Sequence, residues 1–420
     1  MRRLLPGALV TTAVVTGVAL FSVPSGAAPA VTTTALTEPV VVATGLNNPR
    51  QLSMSGTDLY VAEAGRGGTD CGEGDCVGTT GSIAKVTQAY RAKAVTPARV
   101  ATGLLSAAGP DGSFAVGPDG VSAAELGRLY IAMTYAPPDV LPEGLPGDQA
   151  GTLLLNRLGR TTTVADIAGV EIATDPDGQG VDSNPYAVLA LPGRQLVADA
   201  AGNSIIEVRP GLAPRVFAVL PNHDCGQAVP TSLAVGRNGV IYVGELNSDN
   251  FGTARVDMLS PTGELIGHVD GFTTITGLAV GADGTLHVSE LFGGDEGPVE
   301  AGATRTDARP CLAPSAGAQP ARAARAARAA RVQAARVRAA RVQAVRAQVA
   351  RAAAQRGATT QDLGLPGQVT TVRPDGTRSS RPVPLPAGLA LDAGNHLYVS
   401  ALSVFSGDDP YFGGQVWRLS

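Results

Sequence analysis

Four acidic residues recur at the end of a repeated five-residue pattern. The pattern runs apolar residue, Tyr or a substitute, Val, Ile or Ala, a small residue and then an acid, and the acids are Glu63, Asp199, Glu245 and Glu290. Carboxylate oxygens are the ligands that Ca²⁺ and other hard cations prefer, so four acids around one opening could form a metal site. Alternatively, each acid accepts backbone N–H bonds from its own loop and fixes the turn. The recurrence favours this second interpretation, because a repeated position is typical of a structural role.

Arg50 and Tyr186 are candidate ligand-binding residues. Both stand at the start of a second segment of small and apolar residues, just upstream of the acidic pattern, and the positions that align with them are Gly112, Thr231, Thr276 and Ala387. We expect these positions at the mouth of a central channel. Arg50 would either neutralise buried carboxylates or anchor an anionic ligand, and the sequence does not separate the two roles.

The sequence carries no strong catalytic motif. His223, Asp224 and Cys225 invite a Cys–His nucleophile interpretation, but adjacent residues in a strand-like loop point apart, which is poor geometry for a nucleophile and its base. No Gly-x-Ser-x-Gly elbow, His-Glu-x-x-His helix or phosphate-binding Gly loop occurs. No catalytic residue is therefore assigned.

The elements that carry these residues repeat along the chain. The second residue of each five-residue copy lies at 60, 130, 196, 242, 287 and 398. The steps between the middle copies are 46 and 45 residues, and the last step shortens from 111 to 45 residues when 301–366 is left out. Two strands joined by a tight Gly-containing turn, with a period near 45 residues, are typical of a propeller blade. The sequence predicts an all-β, six-bladed β-propeller.

The last blade lacks an outer strand, which the N-terminus can supply. Residues 42–46 (VATGL) match 100–104 (VATGL), the outer strand expected before blade two. We therefore predict that Val40 to Thr44 pairs with Gln415 to Leu419 and closes the ring, which leaves no free sheet edge. The first strand of blade two is expected at 111–117.

The predicted organisation has three parts: a signal peptide over 1–30, a propeller over 31–420 and an insert over 301–366 within blade five. Arg2 and Arg3, the apolar run from Leu4 to Val23 and the small residues that follow are typical of a secretory leader, with an uncleaved anchor as the alternative. No other segment is apolar enough to suggest a membrane span. We expect a secreted or extracytoplasmic protein.

The cysteines agree with an oxidising compartment. Cys71 and Cys76 lie close together in a Gly-rich loop, and we predict a disulfide between them rather than a zinc site, because no His lies nearby. Cys225 and Cys311 have no near partner in the sequence.

The insert is compositionally unlike the rest of the chain. Residues 321–356 contain 17 Ala, 10 Arg, 5 Val and 4 Gln and nothing else. A basic helix that binds RNA or membrane, a low-complexity loop and a stretch read out of frame are the three interpretations, and the last two are favoured. Without the leader and the insert, 18 basic and 34 acidic residues remain, a net charge of −16 that argues against nucleic acid as a partner. We expect a monomer that binds a small molecule or a component of the cell envelope.

Segments at both ends of the predicted propeller carry a family resemblance. They are 45–52 (GLNNPRQL), 59–65 (LYVAEAG), the pair Cys71 and Cys76, 81–84 (GSIA), 385–391 (LPAGLAL), 397–400 (LYVS) and 414–419 (GQVWRL). These segments resemble the ScyD/ScyE family of secreted bacterial proteins, over about residues 38–300 and 367–420. The resemblance implies an NHL-like six-bladed propeller and transfers no catalytic residue. The 301–366 insert departs from the family pattern.

These observations favour a secreted propeller that acts as a binding or scaffold module at the cell envelope. The alternative is a metal-dependent hydrolase, because more distant six-bladed relatives include calcium-dependent lactonases that use acids at the channel mouth. Glu63, Glu245 and Glu290 would then be metal ligands, with Ca²⁺ as the cofactor.

Overall fold

A computed structural model describes residues 38–71, 75–223, 226–247, 252–293, 365–408 and 413–419. The predicted signal peptide lies outside these residues, as do Cys225, Cys311 and most of the predicted insert. Within the described ranges, no helix has the length and apolar character needed to cross a membrane.

The strands form six antiparallel sheets, the blades of a propeller. The first strand, β1 (Val40–Leu46), belongs to the last blade. Blade one contains β2 (Pro49–Ser55), β3 (Asp58–Glu63), β5 (Cys76–Val86) and β6 (Ala98–Ala108), with the two-residue β4 (Asp70–Cys71) beside β5. Blade two contains β7 (Pro118–Ala124), β8 (Arg128–Met133), β9 (Thr152–Arg157) and β10 (Arg160–Asp166). Blade three contains β11 (Pro185–Leu191), β12 (Arg194–Asp199), β13 (Ser204–Val208) and β14 (Arg215–Val219).

The remaining blades follow the same order. Blade four contains β15 (Pro230–Val235), β16 (Ile241–Glu245), β17 (Ala254–Leu259) and β18 (Leu265–Phe272). Blade five contains β19 (Ile275–Val280), β20 (Leu286–Glu290), β21 (Gln368–Val372) and β22 (Arg378–Pro382). Blade six contains β23 (Leu389–Leu391), β24 (Leu397–Ala401), β25 (Gly414–Leu419) and β1. Among the described residues, the helical elements are α1 (Ala168–Thr174) and the single 3₁₀ turns Glu125–Gly127, Pro138–Val140, Gly147–Gln149 and Arg237–Gly239.

The blades close into a ring through their first strands. β2 packs on β7, β7 on β11, β11 on β15, β15 on β19 and β19 on β23, and β23 returns to β2. The predicted six-bladed propeller is therefore confirmed.

The period-two alternation of each second strand explains the repeated pattern. In β3, Leu59 and Val61 pack in the cluster that contains β1, whereas Tyr60 and Ala62 face the cluster that contains β8 of blade two. Successive side chains of a strand point to opposite faces, so a strand between two neighbouring blades is apolar on both sides. Each fully buried Leu or Val contributes about 1.5–3 kcal/mol.

The N-terminal strand closes the ring as predicted. Val40 pairs with Arg418, Val41 with Trp417 and Ala43 with Val416 in an antiparallel ladder between β1 and β25. Blade six thus has four strands, and its outer edge is the N-terminal strand.

The first strand of blade two lies at Pro118–Ala124, so the expectation of a strand at 111–117 is wrong. Residues 109–113 form a turn instead, in which the Asp111 carboxylate accepts bonds from the backbone N–H and the hydroxyl of Ser113. Val116 then bonds back to Ala107 at the end of β6. This turn and pairing remove 109–117 from the inner ring, and Gly112 is not an inner-strand residue.

Blade five forms across the predicted insert. Glu290 at the end of β20 pairs directly with Gln368 at the start of β21, and the Gly367 N–H bonds to the Gly293 carbonyl at 3.2 Å. Leu365 packs against the core, and the Pro366 carbonyl accepts the N–H of Leu385. The last two residues of the 301–366 range therefore contact the propeller.

Candidate functional site

Five of the six innermost strands break their register at one equivalent place. The breaks fall between Pro49 and Leu52, Pro118 and Gly120, Pro185 and Ala187, Pro230 and Ser232, and Ile275 and Gly277. A bulge of this kind leaves a residue outside the ladder and re-aims its side chain. Together with the equivalent residue of blade six, the residues that follow Pro or Ile are named here the axial residues: Arg50, Asp119, Tyr186, Thr231, Thr276 and Ala387.

Gln51 spans the centre of this ring. Its amide Nε2 donates to the carbonyl of Thr231 at 2.9 Å and to the carbonyl of Thr276 at 2.7 Å. The side chain starts in blade one and ends at blades four and five, on the far side of the axis. The central passage is therefore crossed by a buried amide at the level of the axial residues.

Arg50 is buried and engaged with three groups of its surroundings. It donates to the carbonyls of Ser403 and Ala115, and its Nε lies 3.4 Å from Oδ1 of Asp119. Its guanidinium thus joins the loops of blades six and two and balances the charge of Asp119. Of the two roles expected from the sequence, these contacts match the counter-ion.

Asp119 is the axial residue that the sequence analysis missed. It is fully buried, and neither carboxylate oxygen has a hydrogen-bond donor of normal geometry among the described residues. Burial raises the pKa of Asp119 to about 7, and the charge of Arg50 opposes this rise. The repeated proline was the available signal, because Pro49, Pro118 and Pro185 each stand immediately before an axial residue.

Tyr186 is the aromatic member of the axial residues. Burial raises its pKa to about 12, the charge of Arg50 lowers it and the charge of Asp119 raises it. Tyr186 stands at the same register break in blade three as Arg50 and Asp119 do in blades one and two. Arg50 and Tyr186 stay predicted ligand-binding residues.

Three of the four recurring acids are tied to the loop that enters their own blade. Glu63 accepts the N–H of Asn47 at 2.8 Å, and Asp199 accepts the N–H of Asn184 at 2.6 Å. Glu290 accepts the N–H of Thr273 at 2.8 Å. Each carboxylate thereby fixes the chain where it turns into the innermost strand.

Further donors complete the surroundings of these three acids. Glu63 also accepts bonds from the hydroxyl of Ser82 and the guanidinium of Arg99. Asp199 accepts bonds from the hydroxyl of Ser183 and the N–H of Gly202. Glu290 accepts bonds from the side chains of Thr273, Gln368 and Thr370. Burial raises the pKa of Asp199, and the N–H of Asn184 and the hydroxyl of Ser183 oppose the rise.

Glu245, the fourth acid, lies in a different environment. Its Oε2 contacts Nε2 of His223 and lies 3.6 Å from Nε of Arg255, whereas its Oε1 has no hydrogen-bond donor among the described residues. Burial and the neighbouring charge of Asp257 raise the pKa of Glu245 well above its usual range. Arg255 binds Asp257 at 2.8 Å, so two buried carboxyl groups share one guanidinium.

A different group of acids comes close enough together to share a cation. In the part of the chain that the structure describes, the carboxylate oxygens of Glu171, Asp175 and Asp177 lie within 4.8 Å of one another, and no such group contains three of the four recurring acids. Burial and the charge of Asp199 together raise the pKa of Glu171 to about 7, and the backbone N–H of Asp182 opposes this rise. The Ca²⁺ site predicted for the four recurring acids stays a prediction.

A cavity of about 290 Å³ opens between blades one and two on the face that carries the long loops. Its walls are mostly apolar, and its main side chains are Val77, Leu105, Val116, Met133, Tyr135 and Leu141. Gly117 and Thr134 also line it, and the Thr134 N–H bonds to the Gly117 carbonyl at 2.9 Å. Gly117 lies two residues before Asp119, so the cavity lies beside the axial residues.

The predicted disulfide is present beside this cavity. Cys71 and Cys76 are bonded, and they pair as the last residues of the short ladder between β4 and β5. The next residues along β5 include Val77, which lines the cavity, and Asp75 stands at its rim. The cross-link therefore holds one side of the opening.

Comparisons with known proteins find matches among solved structures. No protein-family model matches the chain, and no curated protein matches it. The PQQ-bound aldose sugar dehydrogenase of Streptomyces coelicolor is 11% identical over 92% of this chain and 97% of that one, with a TM-score of 0.48. A streptogramin B lyase is 11% identical over 91% of this chain and 96% of that one, with a TM-score of 0.45. A gluconolactonase from Xanthomonas campestris is 16% identical over 55% of this chain and 65% of that one, with a TM-score of 0.33. At this level of similarity, no activity or ligand is carried over.

Proposed function

We propose that this protein is an extracytoplasmic binding module whose ligand is a small, largely apolar molecule held in the cavity between blades one and two. The cavity itself is the observation that carries the proposal. Ligand pockets commonly measure about 300–1,000 Å³ and are lined mainly by apolar and aromatic side chains. With about 290 Å³, this cavity is at the small end of that range.

The polar groups of the cavity are largely engaged with the protein. The Ser106 hydroxyl donates to the Ala64 carbonyl at 2.6 Å, and the Thr134 hydroxyl donates to the Asn184 side chain. Asp75 is exposed at the rim. Removal of apolar surface from water would therefore supply most of the affinity, and Asp75 would disfavour an anionic ligand.

The cellular setting is part of the proposal. A disulfide in a two-strand ladder is typical of a protein outside the cytoplasm, and the N-terminal sequence predicts a leader that would direct it there. The resemblance to secreted ScyD/ScyE proteins points the same way.

The metal-dependent hydrolase is less well supported by the geometry. Such a site needs carboxylates that face an open mouth, and Glu63, Asp199 and Glu290 instead accept hydrogen bonds from their own loops. The buried amide of Gln51 also crosses the axis where a substrate would have to enter. A lactone-hydrolysis assay with and without Ca²⁺ distinguishes this alternative.

A neutral apolar fluorophore, N-phenyl-1-naphthylamine, tests the binding proposal. Ala107 lines the cavity, and Ala107→Phe would fill part of it with a ring. We expect the wild-type protein to bind the probe with enhanced fluorescence, and the variant to bind at least about tenfold more weakly, since one buried ring displaces most of the contact area.

The matched control is Ala213→Phe. Ala213 is exposed in the turn between β13 and β14 of blade three, outside the cavity, so the same added ring should leave probe binding unchanged. Equal probe affinity in the wild type and Ala107→Phe, or no probe binding by the wild type, would contradict the proposal.

A further inference from the structure

The loop that leads from blade two to blade three brings three carboxylates together. Glu171 lies on α1, Asp175 follows the helix, and Asp177 lies two residues further on. One carboxylate oxygen from each residue lies within 4.8 Å of the others. Ca²⁺ binds oxygen ligands at about 2.3–2.6 Å, so two ligands on opposite sides of one ion are separated by about 5 Å.

The loop fixes the two aspartates while leaving lone pairs available. Asp175 ends α1 in the left-handed region at φ 39°, and its N–H bonds to the Glu171 carbonyl. The Gly180 N–H approaches both oxygens of Asp175, at 3.1 and 3.2 Å. Asp177 accepts the N–H of Gln179 at 2.9 Å on one oxygen and the amide of Asn203 at 2.7 Å on the other. Each carboxylate oxygen can accept more than one bond, so these contacts orient the aspartates without using up their capacity.

Glu171 is the observation that points to a ligand. The residue is only 1% exposed, and neither of its carboxylate oxygens has a hydrogen-bond donor of normal geometry among the described residues. A Cβ atom placed on Gly202 would lie 2.5 Å from Oε2 of Glu171 and 3.4 Å from Cγ of Asp199, so Gly202 packs against both acids. A buried carboxylate beside other carboxylates is costly unless a positive charge compensates it.

The protein supplies no such charge within the described ranges. No Lys, Arg or His there forms an ion pair with Glu171, Asp175 or Asp177. We propose that these three residues bind one Ca²⁺ ion in the loop between blades two and three. The all-oxygen donor set is the kind that a hard cation takes, and Glu171 gains the partner that the protein does not provide.

The position of this ion suggests what it would do for the fold. The same loop continues to Asn184, which accepts a hydrogen bond from Thr134 in the cavity wall and donates its N–H to Asp199. An ion bound at Glu171, Asp175 and Asp177 would therefore stiffen the segment that supports this wall. The proposal is separate from the ligand proposal, because Ca²⁺ binding is measured without any other ligand.

Calorimetric titration of the chelator-treated full chain with Ca²⁺, and separately with Mg²⁺, tests the site. We expect one Ca²⁺ per chain, weaker binding of Mg²⁺ because it demands a tighter octahedral geometry, and a higher melting temperature with Ca²⁺. Glu171→Gln should bind Ca²⁺ at least tenfold more weakly. Without metal, this variant should melt at or above the wild type, because an amide replaces a buried carboxyl group that lies beside other acids and has no donor of normal geometry among the described residues. A purely structural Glu171 would give the opposite sign, a lower melting temperature.

Two further variants keep the outcome interpretable. Asp177→Asn removes one ligand charge from a more exposed position, and it should lose Ca²⁺ affinity even where Glu171→Gln folds poorly. Glu290→Gln alters one of the four recurring acids and should retain the affinity. No Ca²⁺ binding by the wild type, full affinity in Glu171→Gln and Asp177→Asn, or loss of affinity only in Glu290→Gln would overturn the proposal. Equal affinity for Mg²⁺ would overturn the assignment of the ion.

Discussion

Blades four and five carry the same acid at the same strand end but surround it differently. Glu290 of blade five accepts bonds from Thr273, Gln368 and Thr370, whereas Glu245 of blade four has one oxygen without a donor. A repeated position therefore fixes where an acid lies in the fold, but its neighbours decide whether it is charged and satisfied.

A single position on the third strand accounts for much of this difference. Thr370 pairs with Val288 in blade five, and Asp257 pairs with Val243 in blade four, so the two residues are equivalent. The Thr370 hydroxyl donates to Glu290 at 2.6 Å. Asp257 instead adds a second carboxyl group, and its charge raises the pKa of Glu245 in addition to the effect of burial.

The largest expected effect concerns Glu290, the acid whose carboxylate accepts several hydrogen bonds. Glu290→Ala should lower the free energy of unfolding by about 4 kcal/mol, because the buried hydroxyl of Thr370 and the half-buried donors of Thr273 and Gln368 would lose their acceptor. Urea denaturation at pH 7 measures the change. Glu245→Gln is the control from blade four and should change the stability by less than about 1 kcal/mol, since an amide replaces a carboxyl group that is neutral at this pH. Equal losses in the two variants would mean that the difference between the blades has no energetic consequence.

The next effect concerns Asp119, whose carboxylate also lacks donors of normal geometry among the described residues. Its folded pKa of about 7 lies above its ordinary value of 3.8, so between these two values the folded state holds a proton that the unfolded state releases. Stability should therefore fall as the pH rises from about 4 to 7 and level off above that, by about 4 kcal/mol for this group, since each pKa unit corresponds to about 1.4 kcal/mol.

The variant Asp119→Asn isolates the contribution of Asp119 to the pH dependence of stability. The difference between the wild-type and variant unfolding free energies should follow this pH curve, while Glu171 and Glu245 contribute equally to both proteins. A difference that stays constant from pH 4 to pH 8 would show that Asp119 does not titrate in this range.

The smallest effect comes from converting blade four to the blade five arrangement. In Asp257→Thr the second carboxyl group is gone, so Glu245 should ionise and pair with Arg255. Glu245→Gln should then cost about 1 kcal/mol more in the Asp257→Thr background than in the wild type. A double-mutant cycle measured by urea unfolding at pH 7 gives this coupling energy. A coupling energy of zero would mean that Asp257 does not affect the contribution of Glu245 to stability.

The sequence predicts the scaffold well because each second strand is buried on both faces. The recurring Leu-Tyr-Val pattern reports this burial directly, and the pairing of Val40 to Thr44 with the C-terminal strand followed from a repeated outer-strand motif. The first strand of blade two was misplaced because 111–117 has the same small and apolar composition as an inner strand. A local turn at Asp111 and Ser113 decides the outcome, and periodicity does not detect it.

The candidate site was less predictable because its contacts join distant segments. The acids Glu63 and Glu290 were found from their repetition, but their donors come from loops that share no pattern. Glu171 lies near Asp175 and Asp177 in sequence, yet its burial depends on Gly202, which belongs to a later hairpin. Asp119 was missed because the strand that carries it was assigned to the wrong residues.

The bulges at the axis have a consequence for how such a protein can diversify. The link across the centre uses the backbone carbonyls of Thr231 and Thr276, and the link from blade six to blade one uses that of Arg50. Any amino acid can supply such a carbonyl. The side chains at these positions lie outside the register of the ladder, so an exchange leaves the strand pairing in place and changes only side-chain contacts, such as the bonds that the hydroxyls of Thr231 and Thr276 donate to the carbonyls of Ile275 and Pro386. Six codons, one per blade, thus form a compact set through which evolution or a designed library could give the same scaffold a new chemical character at its centre.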